Sequence, residues 1–304
     1  MSDLLRKKNI LYLFFSLCTL STILLYGMPY KDMTNTQDDS ETVISNTVIT
    51  SIAKEESNFV SGSVKTVVVS TPVTPLVQTF SGTSQGSQLL NWDEEDLSFF
   101  EHSVFVGDSI SVGFETYCQN HEDSILTDTT YFLARVSCSA KALISDNALT
   151  TYASVIPLYQ DEPQYVENSI AQIGDIEKIF LCFGVNDLVA STPEEYINNI
   201  QTLVDRILEK NPQVTVYMIS IPCVDASVTT GYLNNTVIGQ ANALLQEACV
   251  QNGWGFINLV EYIMNENGDI CPEYSSDGFV HENNSAYDIW IKVLKNYAHE
   301  GNHA

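Results

Sequence analysis

The stretch Val104-Phe105-Val106-Gly107-Asp108-Ser109-Ile110-Ser111-Val112-Gly113 changes character halfway along. It opens on an apolar, β-favouring triplet, passes through a Gly-Asp-Ser turn, and takes up helical spacing over residues 110–120. A buried strand running straight into a turn and a helix is the unit from which parallel α/β sheets are built. Ser109 then sits at the helix N-terminus, where unpaired backbone N–H groups and the positive end of the dipole face whatever the serine meets. One turn can thus present a nucleophile and stabilise an oxyanion. Asp-Ser before a helix is equally common as a plain N-cap, and these residues alone do not separate the two readings. The Gly-x-Ser-x-Gly elbow is absent, because Ser111 stands where its second glycine belongs.

Outward from this unit, residues 131–136, 178–183, 214–221 and 255–259 read as four more strands rich in β-branched and aromatic residues. Helical patterns fill the gaps at 164–173, 192–210, 234–251 and 284–299. The clearest has Thr192 as N-cap, Pro193 at the first helical position, Glu194 and Glu195 in the first turn, and Asn211-Pro212 as its stop. The expectation is a three-layer α/β/α domain on a five-stranded parallel sheet, with its functional loops at the strand C-termini.

Two further clusters fall at such ends. Phe180-Leu181-Cys182-Phe183-Gly184-Val185-Asn186-Asp187 is a strand tipped by an amide that can donate to an oxyanion or merely close an Asx-turn. Ser275-Ser276-Asp277-Gly278-Phe279-Val280-His281 places a carboxylate and an imidazole before the last helix, and a serine hydroxyl needs such a base. The other histidines are weaker candidates: His102 precedes the first strand, His121 lies among Asn120, Glu122 and Asp123, and His299 and His303 are terminal.

In order and spacing these three clusters resemble the SGNH (GDSL-like) hydrolase family, with its Gly-Asp-Ser, Gly-x-Asn-Asp and Asp-x-x-His blocks, over residues 96–299. The resemblance implies flavodoxin-like strand order 2-1-3-4-5 and a serine esterase that requires no metal or organic cofactor. It also implies roles: Ser109 as nucleophile, His281 as base, Asp277 orienting His281, and an oxyanion hole of the Ser109 N–H and the Asn186 side chain. Gly107, Asp108, Gly184 and Asp187 complete the supporting turns. Two departures stand out. The family's third oxyanion donor is a glycine after the second strand, and the best match is Ser137 in Ala134-Arg135-Val136-Ser137-Cys138-Ser139. Asp277 precedes His281 by four residues rather than three, an extra residue that Gly278 has to absorb or else leave His281 to a backbone carbonyl.

Upstream, the chain has a different composition. Residues 1–8 carry Arg6, Lys7 and Lys8 against Asp3, and an uncharged, mostly apolar run of 19 residues follows at 10–28. At about 1.5 Å per residue it reaches roughly 28 Å, enough for a bilayer core. No small-x-small cleavage site follows, so an uncleaved signal anchor over 1–29 is expected, in contact with the lipid bilayer through residues 10–28. The basic flank leaves the rest outside the cytoplasm, single-pass at the cell membrane, or secreted if the segment is cut. Over residues 31–90, 20 of 60 are Ser or Thr and only Phe59 and Phe80 are aromatic, so 30–92 reads as a disordered tether and 93–304 as the hydrolase domain. Its one ambiguous part is residues 64–80, where Val67-Val68-Val69 could pair as a strand, although Pro72 and Pro75 argue against a central position.

The formal charge is −25, and residues 1–8 contribute a net +2, so the exported part is strongly acidic. Such a surface disfavours nucleic acid and anionic polymers and fits a neutral substrate, while serving solubility equally well. Cys118, Cys138, Cys182, Cys223, Cys249 and Cys271 are even in number and permit disulfides, although buried thiols are the alternative. A small-acyl ester, an O-acetylated glycan above all, is the first expectation for substrate. A lipase, lysophospholipase or thioesterase on longer chains, acyl transfer to a sugar, and a non-catalytic glycan-binding module on the same fold stand as rivals.

Overall fold

All five expected strands form in the computed structural model of the protein, which describes residues 75–85, 89 and 97–303. They are β1 (Ser103–Gly107), β2 (Thr130–Ala134), β3 (Lys178–Cys182), β4 (Thr215–Ile219) and β5 (Gly255–Ile257). Every pairing is parallel and the order is β2-β1-β3-β4-β5, the expected 2-1-3-4-5. All five residues of β1 are buried, as in a central strand covered on both faces.

In the register, Phe105 lies opposite both Phe132 and Phe180, and Phe180 opposite Tyr217. Their rings stack at centroid separations of 5.1, 4.4 and 4.9 Å, forming an aromatic row across four strands. Such cross-strand pairs each contribute about 0.5–1.5 kcal/mol beyond their buried area and penalise any slip of register. The same register sets Gly107 level with Ala134 and Cys182, so the chain leaves β1, β2 and β3 along one edge.

The long helices are α1 (Ser109–Gln119), α4 (Val166–Ile173), α5 (Pro193–Lys210), α6 (Asn235–Asn252) and α7 (Asn284–His303). Thr192 and Glu195 close a reciprocal capping box on α5, whose buried stripe Tyr196, Ile200, Leu203, Val204 and Ile207 follows the helical period. Helix α1 packs with α7, while α5 packs with α4 and α6, which gives one helical layer on each face. Two four-residue helices, α2 (Ala140–Leu143) and α3 (Ala148–Thr151), and a hairpin of Leu158–Tyr159 with Glu162–Pro163 were not expected. Elements this short carry too few residues to show a period. Strand β2 stops at Ala134 rather than 136 because Arg135 opens a turn closed by Cys138 N–H to its carbonyl, 3.0 Å.

The tether boundary needs correction. Residues 75–85 belong to the domain: Val77 forms a parallel bridge with Phe256, Phe256 N–H donates to Leu76 O and Gln78 N–H to Phe256 O, each at 3.0 Å. Beyond this strap, Glu261, which is 0% exposed, accepts hydrogen bonds from Gly82 N–H at 2.8 Å, Ser81 Oγ at 2.9 Å and Gln85 Nε2 at 2.7 Å. Composition missed this because the strap is held by backbone and polar groups, with only Leu76, Val77 and Phe80 packed on the core. The expected membrane anchor, Val67-Val68-Val69 and most of the tether lie outside the described residues. Among the described residues no helix is long and apolar enough to cross a membrane. The six cysteines from Cys118 to Cys271 are free thiols, five of them buried.

Candidate active site

Asp108 caps α1, its carboxylate accepting from Ile110 N–H at 3.0 Å, and Ser109 is the first helical residue. Ser109 is half-buried, whereas Asp108 is 2% exposed. Gly107 is required here: a Cβ at this position would lie 2.0 Å from Ser111 Oγ and 2.7 Å from Cys182 O. Ser111 therefore fills the space that a side chain at 107 would need.

His281 comes from the loop before α7, and its Nε2 lies 3.2 Å from Ser109 Oγ. Its Nδ1 lies 2.6 Å from Asp277 Oδ2. The four-residue spacing is accommodated because Gly278 takes a left-handed φ of +65° and the loop wraps around the carboxylate. Asp277 Oδ1 accepts from the N–H groups of Phe279, Val280 and His281 at 2.8, 3.1 and 3.2 Å. Partial burial works against its charged form, but the His281 hydrogen bond and charge and these N–H groups outweigh it and hold the Asp277 carboxyl below the usual range. No backbone carbonyl is needed to orient the imidazole.

Asn186 follows Gly184 (φ +137°) at the end of β3, and its side-chain N–H donates to Asp108 Oδ2 at 3.2 Å. Asp187 turns inward, 1% exposed, and accepts from Ala140 and Lys141 N–H at 3.1 and 3.0 Å, capping α2. It thereby ties the Asn186 turn to the Ser137 turn. Ser137 has φ +62°, the conformation a glycine would take without strain, at the third position of the turn closed by Arg135 and Cys138. The expected oxyanion donors therefore come from three adjacent strand ends, β1, β2 and β3. Of the other histidines, His102 pairs with Asp175 at 3.2 Å before β1, and His121 stacks on Tyr117 at 3.8 Å; neither joins Ser109.

Sequence reasoning missed Glu282. It follows His281 and is 4% exposed, its carboxyl within reach of the Trp290 indole but in no well-formed hydrogen bond among the described residues. Burial pushes it up to about 8, with the Asp108 charge adding and the Trp290 indole opposing. Burial likewise raises Asp108 to about 7, reinforced by Asp187, and Asp187 to about 6 against the N–H groups of Lys141 and Ala140. A carboxyl whose folded value is raised contributes stability that is fully present below its unfolded value and lost as pH rises through the folded one. Asp277 has the opposite sign, and its contribution is already complete at pH 5. Because a tenfold change in proton affinity is about 1.4 kcal/mol, the three raised groups together cost on the order of several kcal/mol between pH 5 and 8.5. Tm is expected to fall as pH rises over that range, and Glu282→Gln to flatten the slope. A Tm that is level or rises over that range in thermal melts would refute the assignment.

The described geometry is a hydroxyl, an imidazole and a carboxylate in hydrogen-bonded series, beside an aimed amide and a helix N-terminus. That arrangement can deprotonate a serine hydroxyl and hold negative charge on a carbonyl oxygen. Among solved structures the chain is similar to a protein from Streptococcus pneumoniae described as a platelet activating factor, with 22% identity, TM-score 0.50, and 65% of this chain and 84% of that one covered. It is also similar to a GDSL-like lipase from Bacteroides thetaiotaomicron (19% identity, TM-score 0.47, 65% and 87% covered). A third similar structure is a carbohydrate acetylesterase from Sinorhizobium meliloti (14% identity, TM-score 0.45, 66% and 98% covered). At these identities the likeness concerns fold alone. No curated protein matches the sequence. The sequence profile of GDSL-like lipases and acylhydrolases, however, matches residues 105–289, from within β1 through His281 and into α7 and over more than half of the chain, and this protein therefore belongs to the GDSL-like lipase/acylhydrolase family.

Proposed function

We propose that this protein is an extracytoplasmic serine esterase, tethered to the membrane through residues 10–28, that removes small acyl groups, O-acetyl foremost, from a neutral glycan. The observation that carries the reading is the series Ser109 Oγ, His281 Nε2 at 3.2 Å, and Asp277 at 2.6 Å from Nδ1. The basic flank of the N-terminal apolar run supports the orientation. The acidic exterior and the surface tether support a neutral substrate outside the cell.

In this reaction Ser109 Oγ attacks the ester carbonyl while its proton passes to His281 Nε2. The carbonyl oxygen takes the negative charge and rests on the Ser109 N–H, the Asn186 amide and the Ser137 N–H. Collapse breaks the bond to the alcohol, which leaves with the proton from His281, and the acyl-serine remains. Water then repeats the sequence, with His281 taking one proton and returning it to Ser109 as the acid departs. Asp277 holds the tautomer that carries hydrogen on Nδ1 and stabilises the imidazolium.

The test is turnover of p-nitrophenyl acetate, butyrate and octanoate by residues 72–304, with a serine-directed phosphonate as a covalent probe. Turnover that falls with acyl length, and a mass adduct on the peptide containing Ser109, are expected. Rates that climb with length, by up to about 0.8 kcal/mol per buried CH₂, would replace the small-acyl reading with a lipase or thioesterase. A folded protein that forms no adduct would leave only a binding role.

A further inference from the structure

Asp108 does more in this structure than cap a helix. Its two carboxylate oxygens are divided between two elements: Oδ1 accepts from Ile110 N–H at 3.0 Å, and Oδ2 accepts from Asn186 Nδ2 at 3.2 Å, 78 residues away in sequence. The carboxylate is 2% exposed, whereas Ser109 and Asn186 are only half-buried. The contact that links the ends of β1 and β3 through Asp108 is therefore more deeply buried than the two side chains it stands between.

A terminal amide is nearly symmetric in shape, and rotation about its last torsion exchanges the carbonyl oxygen and the NH₂. One orientation offers a donor to an oxyanion and the other a repelling carbonyl. The ionised, acceptor-only form of the carboxylate discriminates between them, because it can satisfy the NH₂ and cannot satisfy the carbonyl. With one hydrogen committed to buried Asp108, the second hydrogen of Asn186 diverges from it and stays free to meet another acceptor. We infer that Asp108 is the positioning residue of the oxyanion hole, aiming the Asn186 amide at the acyl oxygen without itself touching substrate. This rests on the reading of Ser109 as nucleophile and Asn186 as an oxyanion donor. Asp187 is not a substitute, since its oxygens are engaged by Ala140 and Lys141 N–H.

Two substitutions separate aiming from capping. Asp108→Ser keeps an N-cap of equal quality but is too short to reach Asn186. Asp108→Asn keeps the shape, but its side chain has one acceptor oxygen to divide between Ile110 N–H and Asn186. The experiment measures kcat and KM on p-nitrophenyl acetate for residues 72–304 carrying Asp108→Asn, Asp108→Ser, Asn186→Ala and the double variant Asp108→Asn/Asn186→Ala. Rates are expressed per active site titrated with the phosphonate, so that misfolded protein does not count. Either change at Asp108 is expected to lower kcat by about 10- to 100-fold with KM within about twofold, part of the roughly 10²- to 10³-fold carried by an oxyanion donor. In the Asn186→Ala background the Asp108→Asn change is expected to cost less than about threefold, because the group it aims is gone. Retention of the full cost in that background, or wild-type kcat for Asp108→Ser, overturns the positioning role while leaving the site reading intact. Asn186→Ala at wild-type kcat overturns both.

Discussion

Ser109→Ala is expected to lower kcat/KM on p-nitrophenyl acetate by at least about 10⁴-fold while shifting Tm by less than about 2 °C. On the proposed mechanism the rate loss follows from removal of the attacking atom, Oγ at 3.2 Å from His281 Nε2. What remains is the contribution of binding and of the oxyanion donors, which act on water far less effectively. The small stability effect follows from the position of Ser109, half-buried at the first residue of α1, where the cap belongs to Asp108 and not to the serine. His281→Ala is expected to cost as much, and the double variant Ser109→Ala/His281→Ala no more than either, because the two groups act as a unit. Asp277→Asn keeps shape but loses the carboxylate that selects the Nδ1–H tautomer, with an expected loss of about 10²- to 10⁴-fold in kcat. Steady-state kinetics beside thermal melts decide the matter: undiminished turnover by a folded Ser109→Ala protein would remove Ser109 as nucleophile.

A chain that begins at residue 91 is expected to melt about 10 °C below one that begins at residue 72. The shorter chain looks natural from composition but lacks the strap at 75–85. That segment packs Leu76, Val77 and Phe80 on the core, pairs with β5, and brings Tyr297 Oη to Leu76 O at 2.5 Å and Asn258 Nδ2 to Thr79 O at 2.6 Å. Without it, β5 becomes an open sheet edge and Glu261 loses the donors of Ser81, Gly82 and Gln85. Lost apolar burial at about 25 cal/mol per Å² and a set of hydrogen bonds worth roughly 1 kcal/mol each together reach about 3–5 kcal/mol. For a domain of this size that corresponds to about 10 °C. Glu261→Ala in the longer chain is expected to reproduce much of the same destabilisation, because it strands Gly82 N–H and its neighbours in a part-buried site. Equal Tm values for the two chain lengths would show the strap to be a passive extension. Faster amide exchange in β5 of the shorter chain would locate the damage at that edge.

Residues 104–106 and 178–183 concentrate apolar side chains strongly enough that β1 and β3 were legible, as was α5 from its Thr192, Pro193 and Glu195 start. These signals are local, carried by periodicity and by backbone groups needing partners within a few residues. The strand order and the candidate residues at three strand ends came from the resemblance of spaced motifs. By contrast, α2, α3 and the small hairpin left no trace, because four residues cannot display a period. The strap was misread for a related reason: Ser- and Thr-rich composition measures apolar content, and this segment is held by polar contacts to Glu261, Asn258 and Gln246.

The sequence by itself determined the α/β class, the five strands, and the identity of the groups that could react: Ser109, Asn186, Asp277 and His281. Only the tertiary structure decided that the four-residue spacing works, since Asp277 meets His281 Nδ1 through a loop bent at Gly278. It alone joined Asp108 to Asn186 and Asp187 to the Ser137 turn, and buried Glu282 beside His281. The physical reason is range. Propensity and capping act within a turn or two of chain, whereas hydrogen bonds between distant residues and the desolvation of buried carboxyls exist only once the sheet has set its strand ends level.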